Sequence, residues 1–531
     1  MFEALASLRK TQESPEKRIA RGARAVTVAV FLSRILGLIR EQALAMLFGA
    51  GFQMDAYVVA YRIPNLLRDL LAEGALASAF VTVFTQHKEK YGLEATWQVV
   101  QRALGTILWV VLGIVLIGEF LAPYLVSLLA PGFAPESKKE LAVLLTRIMF
   151  PFLACVSISA VFAGILNALG VFFLPAVSSA LFNLVSVTVG VSLYFWLRST
   201  GYPPIVGMAA GVVLGGLSQA LIQLPALKRR GFRFKVSFAP HDPVLREIFR
   251  LMVPMVLGLS AIQLSVFINT YFASFCGEGA LSWLSYAFRL MYVPLGLFGV
   301  ALSVAVLPVV SAQVAQGQLK QLKNTYASSL LMALALALPS ATGLVILARP
   351  IVRLIFEHGR FGPQDTLHTA QALALFSLAL PAYAATKVTT PVFYALRRPK
   401  IPMVSSFLSV GINFLVVLLT LKRLNFRAIA LGTTTGIVAQ AIFQVGVLNH
   451  LLKGINWPQL VSGTLRLLLA TTIMGAGALV GKSYLASLEG LQFLGGTLAL
   501  IAGCGLLYFL VAGLLGPEEA LYLLRFFKRR P

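Results

Sequence analysis

The sequence predicts an all-α polytopic membrane protein of about 14 transmembrane helices, two parallel six-helix lobes plus two C-terminal helices. Three observations carry this. Hydrophobic residues make up 58% of the 531-residue chain and charged residues 12%, against about 25% charged in soluble domains; mean hydropathy is +0.83. Apolar runs of about 20 residues, the length that crosses a bilayer, recur from end to end. Two distinctive stretches return at one offset of 227 residues.

The chain opens on a basic segment, residues 1–24, within MFEALASLRKTQESPEKRIARGARA. The apolar run after it is too long for a secretory signal, contains arginines and lacks a small-residue cleavage site. The segment is expected in the cytoplasm near anionic headgroups, where each Lys or Arg is worth about 1 kcal/mol. Spanning segments centred near Leu36, Leu70, Leu112, Leu153, Leu184 and Val213 then form an N-lobe over residues 25–243. Others near Leu259, Leu295, Leu334, Leu378, Gly411 and Ile437 form a C-lobe over residues 244–455, the segment at Gly411 being the shortest. Two more, near Ile473 and Ile501, and a basic tail complete residues 456–531.

Loop charges give the orientation. Of 44 Lys and Arg, roughly 27 fall on the side that holds both termini and about 10 on the other, which places both termini in the cytoplasm. The richest loop is LKRRGFRFKVSFAPHDP, residues 227–243. A net charge of +24 on a soluble protein would suggest nucleic acid. Here the cations flank apolar runs and no globular domain remains for DNA or ATP, so no nucleic-acid partner is expected.

FGAGFQMDAYVVAYR from Phe48 matches FCGEGALSWLSYAFR from Phe275, both ending in Ala-aromatic-Arg: Ala60, Tyr61, Arg62 and Ala287, Phe288, Arg289. At the same offset, ALGVFFLPAVSS from Ala168 answers ALRRPKIPMVSS from Ala395. An even number of helices per repeat makes the lobes parallel. Transporters built this way place their substrate between the repeats near mid-membrane.

The stretch Ser33–Phe80 carries Arg34, Arg40, Arg62 and Arg68 with Glu41, Asp55, Asp69 and Glu73. Each such charge costs about 2.5–3.5 kcal/mol at the centre of a spanning helix. Asp55, Arg62 and Asp69 are spaced i, i+7, i+14 on one helical face, with Glu73 four residues on; Arg34 and Glu41 share a face in the same way. Pro64 is expected to kink the second helix. Mutual neutralisation would make these charges mere scaffolding. Against that stand Arg289 and Lys387, whose own helices contain no acid; Arg147, expected near the outer interface, is a weaker case. A cation surplus in a cavity fits an anion, and the planar guanidinium fork suits phosphate.

Catalytic patterns are missing, so no enzyme is expected, and neither metal nor cofactor. GALVGKS has Ala476 where a phosphate loop needs its first glycine. The five histidines and Cys155, Cys276 and Cys504 show no ligand spacing. Gly207, Gly211 and Gly215 in GMAAGVVLG are expected to serve close helix packing.

SRILGLIRE, MDAYVVAYRIPNLLRDLLAEGALASAFV and YAFRLMYVPLGLFGVALSVAVLP together resemble the MurJ (MviN) lipid II flippases of the MOP exporter superfamily. The resemblance extends over nearly the whole chain. It implies that the protein moves lipid II, the undecaprenyl-diphosphate-linked peptidoglycan precursor, to the outer leaflet of the bacterial inner membrane. It further implies that Arg34, Arg40, Arg68 and Arg289 are essential, that Asp55 is important, and that the last two helices form a groove for the lipid tail. Expected substrate contacts are therefore Arg34, Arg40, Arg62, Arg68, Arg289 and Lys387; expected gating or ion-pair residues are Glu41, Asp55, Asp69 and Glu73. The expected partners are lipid II or a related diphosphate lipid, membrane lipids and cell-wall synthesis proteins. Some relatives have an acid before the arginine matching Arg289, where this chain has Phe288, and some hold sodium with second-lobe acids that this chain lacks. That argues against sodium coupling and leaves membrane potential as a substitute. A drug or metabolite antiporter, a flippase for another lipid-linked oligosaccharide, and a non-transporting scaffold are the alternatives; the first needs carboxylate coupling that the acid-poor second lobe does not offer.

Overall fold

The structure is a computed structural model that describes residues 15–70, 76–233, 238–239, 241–485 and 487–516. It is 87% helical, and the described residues contain no strand. By their contacts they form two compact units, Met1–Leu44 with Ala56–Gln263, and Ala45–Asp55 with Leu264–Pro531. In chain order the first holds α1 (Pro15–Phe48, up to Leu44), α2 (Phe52–Leu67, from Ala56), α3 (Ala77–Leu129), α4 (Glu136–Met149), α5 (Phe152–Ala168), α6 (Phe173–Thr200), α7 (Ile205–Leu221), the short α8 (Leu224–Lys228) and most of α9 (Pro243–Ala273). The second holds the end of α9, α10 (Ala280–Ala315), α11 (Leu319–Ile346), α12 (Ala348–Phe356), α13 (Pro363–Ser377), α14 (Leu380–Ala395), α15 (Lys400–Leu424), α16 (Arg427–Leu451), α17 (Trp457–Leu485) and α18 (Gly490–Leu515). The division falls inside α9, whereas the sequence puts the lobe boundary at 243/244, and it assigns residues 45–55 to the second unit.

Among the described residues nine helices are long and apolar enough to cross a membrane, and up to eleven spans result if each of two bent pairs counts as one. The three other expected centres are also helical but fall outside that count. Leu36 lies in the arginine-bearing α1, Leu70 adjoins the undescribed residues 71–75, and Leu295 lies in α10 with its two prolines. Helix α3 runs 53 residues because the turn between the second and third expected spans shrinks to one residue, Gly92, at φ 80°. Leu378 sits at the middle of the bent pair Pro363–Ala395, in the break where α13 and α14 turn by 40°. The strongly amphipathic α12 was not foreseen, being only nine residues long.

The 227-residue repeat has local counterparts. Ser178 and Ser405 each donate from Oγ to a carbonyl three residues back, Pro175 and Pro402, both at 2.7 Å. Gly170 and Arg397, equivalent by the offset, both take the left-handed backbone, at φ 76° and 56°. The close-packing reading of Gly211 also holds: a Cβ there would come within 2.5 Å of the Ser186 carbonyl, so α6 and α7 pack backbone to backbone. In the first unit Trp97 packs between Phe84 (6.0 Å) and Phe232 (5.5 Å), which pins the start of the basic loop to α3. In the second, buried Tyr508 of α18 donates to the Ala335 carbonyl of α11 at 2.7 Å. GALVGKS lies inside helix α17, so it forms no phosphate loop. The three cysteines are unpaired. Burial pushes the Cys276 thiol, in the turn before α10, up to about 12.

Candidate functional site

In the first unit the anchor is Arg40. Gly37 leaves room for Asn183 of α6 (3.6 Å from a built Cβ), and Asn183 Nδ2 donates to the Ser33 carbonyl at 3.1 Å. That contact holds α1 on α6 and brings Arg40, only 5% exposed, into an aromatic enclosure. Its guanidinium carbon lies 5.7 Å from the Tyr61 ring centroid and 5.5 Å from that of Phe182. Nη2 donates to Glu41 Oε1 at 3.0 Å, and Nε and Nη1 meet no acceptor among the described residues. A buried guanidinium is tolerated only when its charge is offset, and here one carboxylate and two ring faces do so. The spacing that put Glu41 on the face of Arg34 is real, yet Glu41 bonds its chain neighbour Arg40 instead. Arg34 is half-buried.

Past Pro64 the backbone of α2 stays helical to Leu67 and widens into a π-turn at residues 68–70. Such turns reset side-chain directions and recur at functional sites. Asp69 there accepts from Arg68 Nη2 (2.9 Å) and Nε (3.2 Å), from Gln263 Nε2 (3.2 Å) and from Asn65 Nδ2 (3.4 Å). Arg68 and Asp69 are half-buried, as is Arg62. Glu73 lies outside the described residues.

Asp55 belongs to the second unit and does something the sequence reading missed. Fully buried, it accepts from Gly279 N (2.8 Å), Ser282 N (3.0 Å) and Ser282 Oγ (2.6 Å), the first residues of α10. Helix starts leave backbone N–H groups without partners and favour negative charge; Asp55 supplies both acceptor and charge across the repeat. Glu278 returns the arrangement by accepting from Phe52 N, the start of α2, at 2.7 Å. Asp55 and Ser282 are equivalent under the 227 offset, and so are Phe52 and Gly279, so two repeat-related helix starts cap each other. The repeat itself held the signal that could have found Ser282 and Glu278.

Residues 45–55 are tied further. Arg360 N donates to the Met46 carbonyl at 2.9 Å and Tyr286 Oη to the Gly49 carbonyl at 3.2 Å. Gly49 sits at φ +67°, and a Cβ there would lie 2.6 Å from the Arg360 carbonyl. A left-handed non-glycine residue costs about 1–2 kcal/mol before any clash. Gly49→Ala is therefore expected to lower the thermal unfolding midpoint clearly, while Gly411→Ala, where a Cβ meets nothing within 4 Å, does not. Equal midpoints would refute this.

Of the other predicted cations, Arg289 on α10 is exposed. Lys387 on α14 is half-buried and lines a cavity of about 20 Å³ whose other walls are apolar except for Ser340. A neutral network was also missed: Asn413 Nδ2 donates to Asn269 Oδ1 (2.9 Å) and Ser265 Oγ (3.2 Å), and Asn269 Nδ2 donates to Thr433 Oγ1 (3.0 Å). Single amides and hydroxyls in apolar helices give no spacing signal. The described residues hold no group of three His, Cys, Asp or Glu able to take a metal ion. The structure thus brings together Arg40 with Glu41, and Arg68 with Asp69, in one unit, and places Asp55, Arg289 and Lys387 in the other.

Comparison with known proteins gives these residues a family. A chain from Bdellovibrio bacteriovorus named as a probable lipid II flippase MurJ is 33% identical over 467 residues, 87% of this chain and 88% of that one. A second so named, from Rhizobium tropici, is 32% identical over 512 residues, 94% of each. The fold is that of a solved lipid II flippase MurJ in an inward closed conformation, with TM-score 0.74 at 24% identity over 92% of this chain and 98% of that one. It is also that of an inward-facing multidrug-resistance MATE transporter of the MOP superfamily, with TM-score 0.65 at 16% identity over 81% and 99%. The family model described as lipid II flippase MurJ matches residues 44–494, and the chain belongs to that family.

Proposed function

We propose that this protein carries lipid II from the cytoplasmic to the outer leaflet of a bacterial inner membrane by alternating access. Both termini face the cytoplasm, as the loop cations favour. Arg34, Arg40, Arg62, Arg68, Arg289 and Lys387 hold the diphosphate and peptide carboxylates, and the lipid tail stays in the bilayer. Asp55, with Glu41, Asp69 and Glu73, orders the helices that carry those cations. Membership of the MurJ family, matched over residues 44–494, is the observation that supports this most. The cations are consistent with it: arginines in apolar helices are tolerated only where they meet water, polar groups or a ligand. A drug antiporter of the same fold finds no support in the second unit, where the described acids are Asp55, Glu278, Glu357, Asp365 and Glu489, all in loops or at helix starts and ends.

The test is reconstitution with lipid II and a probe of the outer leaflet. Arg34→Ala and Arg289→Ala are each expected to lower transport at least about tenfold, the worth of one charge-assisted hydrogen bond. Variants indistinguishable from the parent would sink the reading.

A further inference from the structure

A further cavity lies in the first unit, away from every residue proposed above to meet lipid II. It is a groove of about 580 Å³ between the end of α3 (Pro123, Tyr124, Ser127) and one face of α4. On α4 the lining residues Glu136, Glu140, Leu144 and Arg147 form one stripe at i, i+4, i+8 and i+11, with Lys139 and Val143 beside it.

The charges are ordered along the stripe. Helices α4 and α5 make one apolar span, Glu136–Ala168, that begins just after the 130–135 turn. At 33 residues, about 50 Å, this span exceeds a hydrocarbon core of about 30 Å, so its charged first turns project beyond it: Glu136 stands outermost, and Arg147, eleven residues or about 16 Å further in, lies near the interface. Helix side chains lean toward the N-terminus, which brings the arginine back toward the Glu140 turn. Arg147 Nε donates to the Glu119 carbonyl at 3.2 Å, which fixes the fork; Nη1 and Nη2 make no bond among the described residues. The Glu140 carboxylate has no partner there either, and Glu136 meets Lys139 only loosely, at 3.6 Å. From the level of Arg147 inward along α3, an exposed apolar row, Phe120, Leu116, Leu112 and Trp109, leads out of the groove at helical spacing.

The geometry points to a site for one aminophospholipid: the phosphate diester on the Arg147 fork, the ammonium on Glu140 and Glu136, and an acyl chain along the α3 row. The order decides among ligands. In such a lipid the ammonium is outermost, the phosphate deeper and the chains deepest, the sequence in which acids, arginine and apolar row follow one another here. An anionic lipid with a hydroxylated headgroup would leave the two carboxylates unmatched. A quaternary amine could not donate hydrogen bonds to them. A free zwitterion would have no use for the apolar row.

Native mass spectrometry on the full chain tests this with phosphatidylethanolamine, phosphatidylcholine and phosphatidylglycerol of the same chains. The parent is expected to hold one phosphatidylethanolamine several-fold more tightly than the other two. Arg147→Gln should weaken it about tenfold, the loss of one charge-assisted contact. Glu140→Gln should remove the preference over phosphatidylcholine, and Leu144→Trp should close the groove to all three. Glycerophosphoethanolamine, the same headgroup without chains, should fail to compete at equal concentration. All three positions are exposed, so unchanged unfolding midpoints are expected and show that the variants fold. Equal retention of the three lipids by the parent, retention unchanged by Arg147→Gln and Glu140→Gln, or displacement by the chainless headgroup would each overturn the assignment. None of these readouts involves lipid II.

Discussion

Asp55→Ala is expected to be among the most damaging single substitutions in the chain. It would leave Gly279 N–H, Ser282 N–H and Ser282 Oγ–H, all buried, without their acceptor. A buried donor left unsatisfied costs about 1–3 kcal/mol, and losing a helix cap costs about 1 kcal/mol in ordinary cases. The hydroxyl can rotate to another acceptor but the two amides cannot, so a net loss of about 3–5 kcal/mol is expected. Asp55→Asn keeps one acceptor oxygen in the same place and should lose about half as much. Glu278→Gln is the contrasting case: its bond to Phe52 N is exposed, water can replace it, and the effect should stay within about 0.5 kcal/mol. Thermal unfolding in detergent ranks the three. An Asp55→Ala midpoint equal to that of Glu278→Gln would mean that the capping geometry does not stabilise the fold.

Glu41→Ala is expected to cost about 3–5 kcal/mol, the usual result of stripping one partner from a buried ion pair. Glu41 Oε1 is the hydrogen-bond acceptor of the Arg40 guanidinium, and Nε and Nη1 already lack one among the described residues. The Tyr61 and Phe182 faces, worth about 2 kcal/mol when desolvated, do not replace a carboxylate. Replacing both members by apolar residues of similar size, Arg40→Met with Glu41→Leu, should recover most of the stability, since it removes the charges that need each other. Stability and transport then separate. If Arg40 meets the diphosphate, the double variant folds but leaves lipid II on the cytoplasmic side. A double variant that transports like the parent would reduce the pair to scaffolding.

Much of the fold was legible because a bilayer imposes it. A spanning helix must be apolar over about 20 residues, so composition alone places thirteen of the fourteen expected centres in helices. The exception, Leu378, shows the limit of hydropathy alone: the break between α13 and α14 falls just before Pro381, which has no N–H to donate to the Ser377 carbonyl, so the apolar run reads through a bend that the proline marks. Helix α12 was missed for the opposite reason, since nine amphipathic residues are too few to register against longer neighbours. For the site, sequence singled out the charges as costly, but helical spacing did not give their partners. Arg34 and Glu41 share a face, and yet Glu41 bonds Arg40, because a long arginine side chain can fold back on its neighbour when aromatic rings wall off its other directions.

The sequence by itself determined that this chain is an all-helical membrane protein, that it repeats with an offset of 227, and that costly charges gather in its first two apolar segments. Those properties follow from the cost of charge and bare backbone in hydrocarbon, which each stretch meets on its own. Only the tertiary structure decided which carboxylate serves which cation, that Asp55 caps α10, and that α3 and α4 enclose a charged groove. Each of these joins atoms far apart in the chain or aims side chains by packing, and hydrogen bonds act over about 3 Å, a distance no sequence spacing records.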